Sequence, residues 1–337
     1  MCAEQSPFAE DERENQKMKY SLAPMEGITG YTYRRAFESC FGPMDQYYTP
    51  FLSPNSARSF MKREQKEVEP EHNAGLPVVP QLLTRNAEDF LWASEHLAEY
   101  GYKEVNLNLG CPSGTVTAKG KGSGFLSFPE ELDLFLEKVF RESPLPVSIK
   151  TRIGRNTDEE FPRLLAIYRK YPISLLIVHP RIQKDFYKVP PRRESFRLAM
   201  EDSPFPVCYN GDIFCREDYE ELISEFPDLD MVMLGRGILV NPGLLRELRG
   251  GAPAAKAELW EFHERLLDGY VEEFRGDRNL LYRMKELWTY FRYSFEEPER
   301  CRRLVRKAGN LAEYRAAVNE IFHMETVRPT GGFSFGK

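Results

Sequence analysis

Val105-Asn106-Leu107-Asn108-Leu109-Gly110-Cys111-Pro112 is the stretch that decides how this chain is read. It has the character of a buried β-strand that ends by presenting one cysteine at its carboxyl end. The glycine before the cysteine and the proline after it stop the strand abruptly and aim the thiol into a loop-lined cavity. In a (β/α)8 barrel, that end of a strand is where catalytic groups sit. A Gly-Cys-Pro triplet alone says little, because a free cysteine is more often a small buried hydrophobe. Its weight comes from matching strand ends on either side.

Working outward, apolar and β-branched runs bounded by Pro, Gly or Asn recur along the chain. Strands are expected at 20–25, 46–51, 78–83, 104–109, 147–152, 175–179, 207–211 and 231–235. Helical patterns fill most gaps, at 32–39, 87–100, 129–141, 158–170, 216–225 and 242–248. Such alternation calls for a parallel sheet closed into a (β/α)8 TIM barrel of the α/β class. An open doubly wound sheet is the plainer alternative, but no G-x-G-x-x-G follows the first strand. After Gly250-Gly251-Ala252-Pro253 the texture changes to helical patterns without strands. The expected organisation is a barrel over 20–250 and an all-α helical domain over 254–325. A disordered acidic tail over 1–19 and a flexible tail over 326–337 would flank them.

A chain of 337 residues that is 42% hydrophobic and 29% charged fits a soluble globular enzyme. The apolar runs are strand-length, too short to span a bilayer. The polar N-terminus lacks a signal-peptide core, so a cytoplasmic protein is expected. The six cysteines form no C-x-x-C pair and the five histidines no metal-binding spacing, so no metal is expected. A net charge of −6 disfavours phosphate binding at first sight. The charge is segregated, however, and the stretch from Arg275 to Lys307 holds an excess of basic residues.

Polar residues cluster where each strand should end. Pro24, Met25 and Glu26 close the first strand, and Gln81 lies near the end of the third. Asn106, Asn108 and Cys111 mark the fourth, Lys150 and Arg152 the fifth, His179 and Arg181 the sixth. Asn210-Gly211-Asp212 ends the seventh and Gly235-Arg236-Gly237 the eighth. Burying such groups costs free energy unless they pair with each other or with a ligand. The last two clusters suggest a phosphate, because loops after strands seven and eight form the common barrel phosphate site. Glycines there let backbone N–H groups approach an anion, and Arg236 adds a charge-assisted contact. Lys150, flanked by apolar residues, could neutralise an anionic ring system or form a Schiff base. Gln81 could bond a cofactor edge or be a satisfied core glutamine. His179 taken alone reads best as structural.

In order along the chain, A-P-M-x-G, Q, N-L-G-C-P, G-x-G, K-x-R, H-x-R, N-G-D and G-R-G resemble the tRNA-dihydrouridine synthases, most closely one bacterial branch. The match runs from about Ala23 to Pro242, and Arg283-Met284-Lys285 also looks similar. The resemblance implies an FMN-containing barrel with a C-terminal helical domain that binds tRNA. Pro24, Met25 and Glu26 would lie against the flavin ring and Gln81 would bond its pyrimidine edge. Lys150 would sit by the ring region that becomes negative on reduction, with His179 flanking flavin and substrate and Arg181 nearby. Asn210, Gly211, Asp212, Gly235 and Arg236 would hold the ribityl chain and phosphate.

In the mechanism that the resemblance implies, NADPH reduces FMN, hydride passes to carbon-6 of a uracil ring, and Cys111 protonates carbon-5 as general acid. A thiol with an ordinary pKa near 8.5 stays protonated at neutral pH yet can donate to a carbanion-like enolate. Asn108 would orient the base. Lys119 and Lys121, in a loop expected to be flexible, would touch substrate phosphate, and Arg300, Arg302, Arg303, Arg306 and Lys307 would track RNA. A monomer is expected. The pattern departs at His179-Pro180-Arg181-Ile182, where the family commonly has H-G-R-T, and at Val189-Pro190-Pro191-Arg192-Arg193, which replaces the usual G-x-A-x-W. Competing readings are an FMN-dependent reductase of a free pyrimidine or another activated alkene, an aldolase-like barrel using Lys150, and an RNA-binding protein without catalysis.

Overall fold

In the computed structural model, residues 18–329 are described; most of the expected acidic tail (1–17) and the last eight residues of the expected C-terminal tail (330–337) lie outside them. The strands are β1 (Lys19–Leu22), β2 (Gln46–Tyr48), β3 (Val78–Val79), β4 (Gln81–Leu82) and β5 (Val105–Leu109), followed by β6 (Val147–Arg152), β7 (Leu176–His179), β8 (Val207–Tyr209) and β9 (Met231–Leu234). Every pairing is parallel, in the order β3-β2-β1-β9-β8-β7-β6-β5-β4. β3 and β4 are two halves of one strand parted by Pro80, which has no N–H for the ladder. The two ends of the order therefore meet, and the sheet is a closed (β/α)8 barrel. Its seam joins the first strand to the last through Lys19↔Met231 to Leu22↔Leu234.

Alternation decides which way each side chain faces. Val105, Leu107 and Leu109 of β5 join the core between sheet and helices, as do Val147 and Ile149 of β6 and Leu176 and Val178 of β7. The intervening positions turn into the barrel, where Ala23, Tyr48, Val79, Ile177, Cys208 and Met233 form a second, smaller core. Asn106 and Asn108 share that inward phase, so β5 reads as apolar-out and polar-in.

The expected helices are present with small shifts at their ends, for example Ala87–Glu99, whose Asn86 cap accepts the Asp89 N–H at 3.1 Å. Arg193–Asp202, between β7 and β8, is the longest helix that was not anticipated. Only Phe196 and Ala199 of it are buried, too few to print a helical period. Arg193 and Arg197 hold it to Glu225 of the next helix at 2.8 and 3.0 Å.

After the barrel come helices Lys256–Glu273, Asp277–Phe291, Pro298–Lys307 and Leu311–Met324. Phe262 meets Tyr33 edge-on at 5.6 Å, and Arg283 Nη1 donates to the Gly27 carbonyl at 2.6 Å. Ser294 Oγ donates to the Val240 carbonyl at 2.7 Å, at the end of the short helix Arg236–Val240 that follows β9. No helix among the described residues is long and apolar enough to cross a membrane.

A buried polar triad fastens this helical region. Trp288 Nε1 donates to the Tyr314 hydroxyl at 2.8 Å, and that hydroxyl sits 2.7 Å from His263 Nε2. Burial holds His263 below its ordinary pKa, so its neutral ring accepts the phenolic proton there. Tyr314→Phe leaves two buried groups without partners and should cost about 1–3 kcal/mol in a urea unfolding titration. A loss below a few tenths would show that the triad holds no strain-free hydrogen bonds worth keeping.

Candidate active site

The row of amides inside the barrel follows from strand register. Parallel pairing sets Gln81 beside Asn106 and Asn106 beside Ser148. Gln81 Nε2 donates to Asn106 Oδ1 at 2.8 Å, and Asn106 Nδ2 donates to Ser148 Oγ at 2.9 Å. One step toward the carboxyl ends, Asn108 Nδ2 donates to Gln81 Oε1 at 2.6 Å. Asn108 Oδ1 then accepts the N–H groups of Gly110 at 3.0 Å and Cys111 at 2.9 Å. The Asn108 Oδ1 is thereby committed to the turn that carries the cysteine. Gln81, fully buried, is a satisfied member of the same network.

Cys111 is half-buried, and burial pushes its thiol above the ordinary pKa, opposed by a backbone hydrogen bond and by the charges of Arg152 and Lys150. The thiol therefore stays protonated at neutral pH. The segment that follows is not the flexible loop expected from its glycines. Gly122–Ser127 forms a 3-10 helix laid on the cysteine turn, and Ser123 donates to the Cys111 carbonyl from N (3.1 Å) and Oγ (2.8 Å). Gly122 has φ +57°, and a Cβ there would lie 2.8 Å from the Cys111 carbonyl oxygen. Close approach to the cysteine is the physical reason for that glycine. Lys119 remains exposed, whereas Lys121 is half-buried and its pKa is lowered by burial.

Beside the cysteine, the carboxyl ends of the strands line a solvent-open cleft of about 440 Å³, the space at its mouth included. Pro24, Met25, Lys150 and His179 line it, together with the loops of Asn210, Gly211 and Asp212 and of Gly235, Arg236 and Gly237. At Gly237 a Cβ would come within 2.0 Å of the Ile213 carbonyl, so only glycine allows the eighth loop to pack there. Glu26 does not line this cleft. It faces a larger one of about 1060 Å³ toward the helical region, near Arg63 and Arg283.

The charges around the cleft are arranged unequally. Lys150 makes no ion pair among the described residues, and burial followed by repulsion from Arg152 lowers its pKa to about 8. Asp212 lies between Arg181 and Arg236 and bonds both, so its carboxylate orients two guanidiniums and is not available to an anion. Arg181, expected beside substrate, is instead 1% exposed, with Asp212, His179 Nε2 and the Val189 carbonyl as partners. His179 accepts from Arg181 at 2.9 Å; burial and four nearby cations hold its pKa well down, so the ring is neutral.

The sequence reading passed over Tyr187 and Phe214, which line the same cleft. Arg236 lies over both rings, 4.2 and 5.5 Å from their centroids. Both residues stand in loops, where no periodicity marks them. No group of three or more His, Cys, Asp or Glu side chains gathers as a metal site among the described residues.

The fold and this rim define a barrel with one cation-rich cleft at the carboxyl ends of its strands and a protonated thiol beside it. A variant of NCR from Zymomonas mobilis shares the fold, with a TM-score of 0.50 at 14% identity over 75% of this chain and 93% of that one. The chain belongs to the dihydrouridine synthase (Dus) family, whose pattern it matches over residues 21–325, and is thus of an oxidoreductase family. It is 29% identical over 314 residues to a probable tRNA-dihydrouridine synthase of Staphylococcus aureus strain Mu50, covering 89% of this chain and 92% of the relative. A probable tRNA-dihydrouridine synthase 2 of Bacillus subtilis strain 168 is 29% identical over 272 residues, 77% and 82% of the two chains.

The neutral state of His179 has a measurable sign. Its folded pKa lies below the unfolded value of about 6.5, so between the two only the unfolded chain binds the proton. Stability should therefore fall as pH drops below about 6.5, and less steeply in His179→Gln, which keeps an acceptor for Arg181. Urea titrations at neutral pH and at about pH 5.5 compare the two; equal losses would move the effect to His263 or elsewhere.

Proposed function

We propose that this protein reduces uridine in tRNA to 5,6-dihydrouridine, with FMN held in this cleft, NADPH as the source of electrons and Cys111 as proton donor. The observation that carries the reading is a cleft rich in cations beside a thiol kept protonated, in a chain of the dihydrouridine synthase family. The fit to an anionic cofactor rests on charge. Lys150 and Arg236 face the cleft against the single carboxylate of Asp212, which two arginines already bond. An isolated buried cation is costly, and a phosphate offsets that cost.

In this reading Asn210, Gly211, Gly235 and Arg236 hold the ribityl and phosphate end, and Asp212 positions Arg236. Pro24 and Met25 lie along the ring, with His179 as a neutral neighbour. Lys150 favours negative charge on the ring by Coulomb attraction. Bound FMN supplies a hydride to carbon-6 of the uracil ring. Cys111 holds a proton at Sγ for carbon-5, and the amide row from Ser148 to Asn108 fixes that sulfur through the backbone of the turn. The base leaves its stack to reach the rim. Arg303, Arg306 and Lys307 are exposed and make no ion pair among the described residues, which suits RNA phosphate, with Lys119 on the barrel side. Arg300 suits it less, since Glu320 and Glu325 bond it at 3.1 and 2.7 Å.

Nucleoside mass spectrometry of tRNA incubated with the purified protein, FMN and NADPH tests the reading. Cys111→Ala should lower dihydrouridine formation by about 10²- to 10⁴-fold while the protein still binds FMN. Product formed with the variant at the wild-type rate would remove the thiol from the reaction, and no product from tRNA would favour a small pyrimidine or alkene. FMN affinity should weaken as pH rises through about 8 in wild type and be flat there in Lys150→Met, because only wild type loses a cation. Fluorescence titration of FMN across that range measures it.

A further inference from the structure

Arg152 is 1% exposed, yet it makes no ion pair among the described residues. Its guanidinium is instead divided among three backbone carbonyls. Nε donates to Gly110 O at 3.0 Å, Nη1 to Ile182 O at 2.9 Å and Nη2 to Phe186 O at 2.8 Å. Gly110 is the residue before Cys111. Phe186 is the residue before Tyr187, the ring that lines the cleft and covers Arg236. Arg152 also lies 5.5 Å from the centre of that ring.

The second of these segments is under strain. Phe186 has φ +50° and ψ −98°, a region that side-chain-bearing residues avoid, and its own ring is 45% exposed. Packing of the Phe186 ring does not explain the conformation. Such strain persists only where neighbouring contacts impose it. The bond from Arg152 to the Phe186 carbonyl is one such contact, and Asp185, bonded to the Ile182 N–H and to Arg192, is another. The strain turns Tyr187 over the cleft.

We propose that Arg152 is a positioning residue that joins the turn bearing Cys111 to the strained segment bearing Tyr187, so that the setting of the thiol and the covering of the cleft are one coupled event. The carbonyls that it bonds belong to loops after β5 and β7, on either side of its own strand. A lysine at 152 would keep the charge but could not span the three carbonyls, since only the guanidinium presents a planar fork. The inference rests on the proposed function only in calling the occupant of the cleft FMN; the link between the two loops belongs to the protein alone.

The test is alkylation of Cys111 by iodoacetamide, followed by peptide mass spectrometry on the full chain, with and without FMN. Wild type, Arg152→Lys, Tyr187→Ala and the double variant are compared. Each single change should raise the Cys111 rate by about threefold without FMN, and the double variant should be no faster than either single one, because each loosens the contact between Arg152 and the segment that bears Tyr187, the first at its carbonyl bonds and the second at the ring 5.5 Å away. FMN should slow alkylation in wild type and leave Arg152→Lys unaffected. Tyr187 is 37% exposed and belongs to neither hydrophobic core, so that variant reports even if Arg152→Lys unfolds. Unchanged Cys111 rates in Tyr187→Ala, or effects that multiply in the double variant, overturn the proposal. A wild type that binds no FMN but shows the non-multiplying effects sinks the flavin reading and keeps the link. Tight FMN binding with Cys111 unmoved in both single variants does the reverse.

Discussion

The hydrogen bonds among Gln81, Asn106, Asn108 and Ser148 exist because β4, β5 and β6 run parallel in one register, and the cysteine turn hangs from the last of them. A slip of one residue would turn both asparagines of β5 into the apolar layer under the helices and bring Leu107 into the barrel. Nothing downstream would survive that exchange. The turn would lose the two N–H acceptances that set its shape, and Lys150 would no longer stand beside Asn108. Closure of the ring through β1 and β9 is what makes the register unique, since every strand is fixed from two sides.

A second consequence of closure is the gathering of charge. Lys150, Arg152, Arg181 and Arg236 converge at one rim, and burial followed by repulsion among these cations holds the pKa values of Lys150 and His179 down. The protein manages the cost in three ways. Arg152 is solvated by backbone carbonyls, Arg181 and Arg236 share Asp212, and His179 stays neutral and accepts a hydrogen bond. Lys150 is left facing the cleft, so its charge is the one most available to an anionic ligand.

The helical region bears on the rim from behind. Arg283 reaches the carbonyl of Gly27, just past Pro24 and Met25, and Ser294 reaches Val240 at the end of the short helix that Arg236 begins. Both ends of the cleft therefore rest on elements of the helical region. A change there would reach the cleft through two backbone contacts.

Alternation within 105–109 and 147–152, and the polar residue at nearly every strand end, determined the barrel and most of its rim from sequence, because inward and outward positions carry a local period of two. Cys111, Lys150, Asn210 and Arg236 could be named for that reason. What the sequence could not decide is partnership across loops. Asp212 reads as an anion-site neighbour, and its clamping of two arginines does not show in the sequence; Arg181 reads as a substrate contact but is enclosed; in the loop 119–124, read as flexible, Gly122 and Ser123 pack on the cysteine turn. Tyr187 and the helix Arg193–Asp202 carry no period to announce them. Local pattern records which face is wet, while the choice of partner depends on distances between segments tens of residues apart, and only the closed barrel sets those.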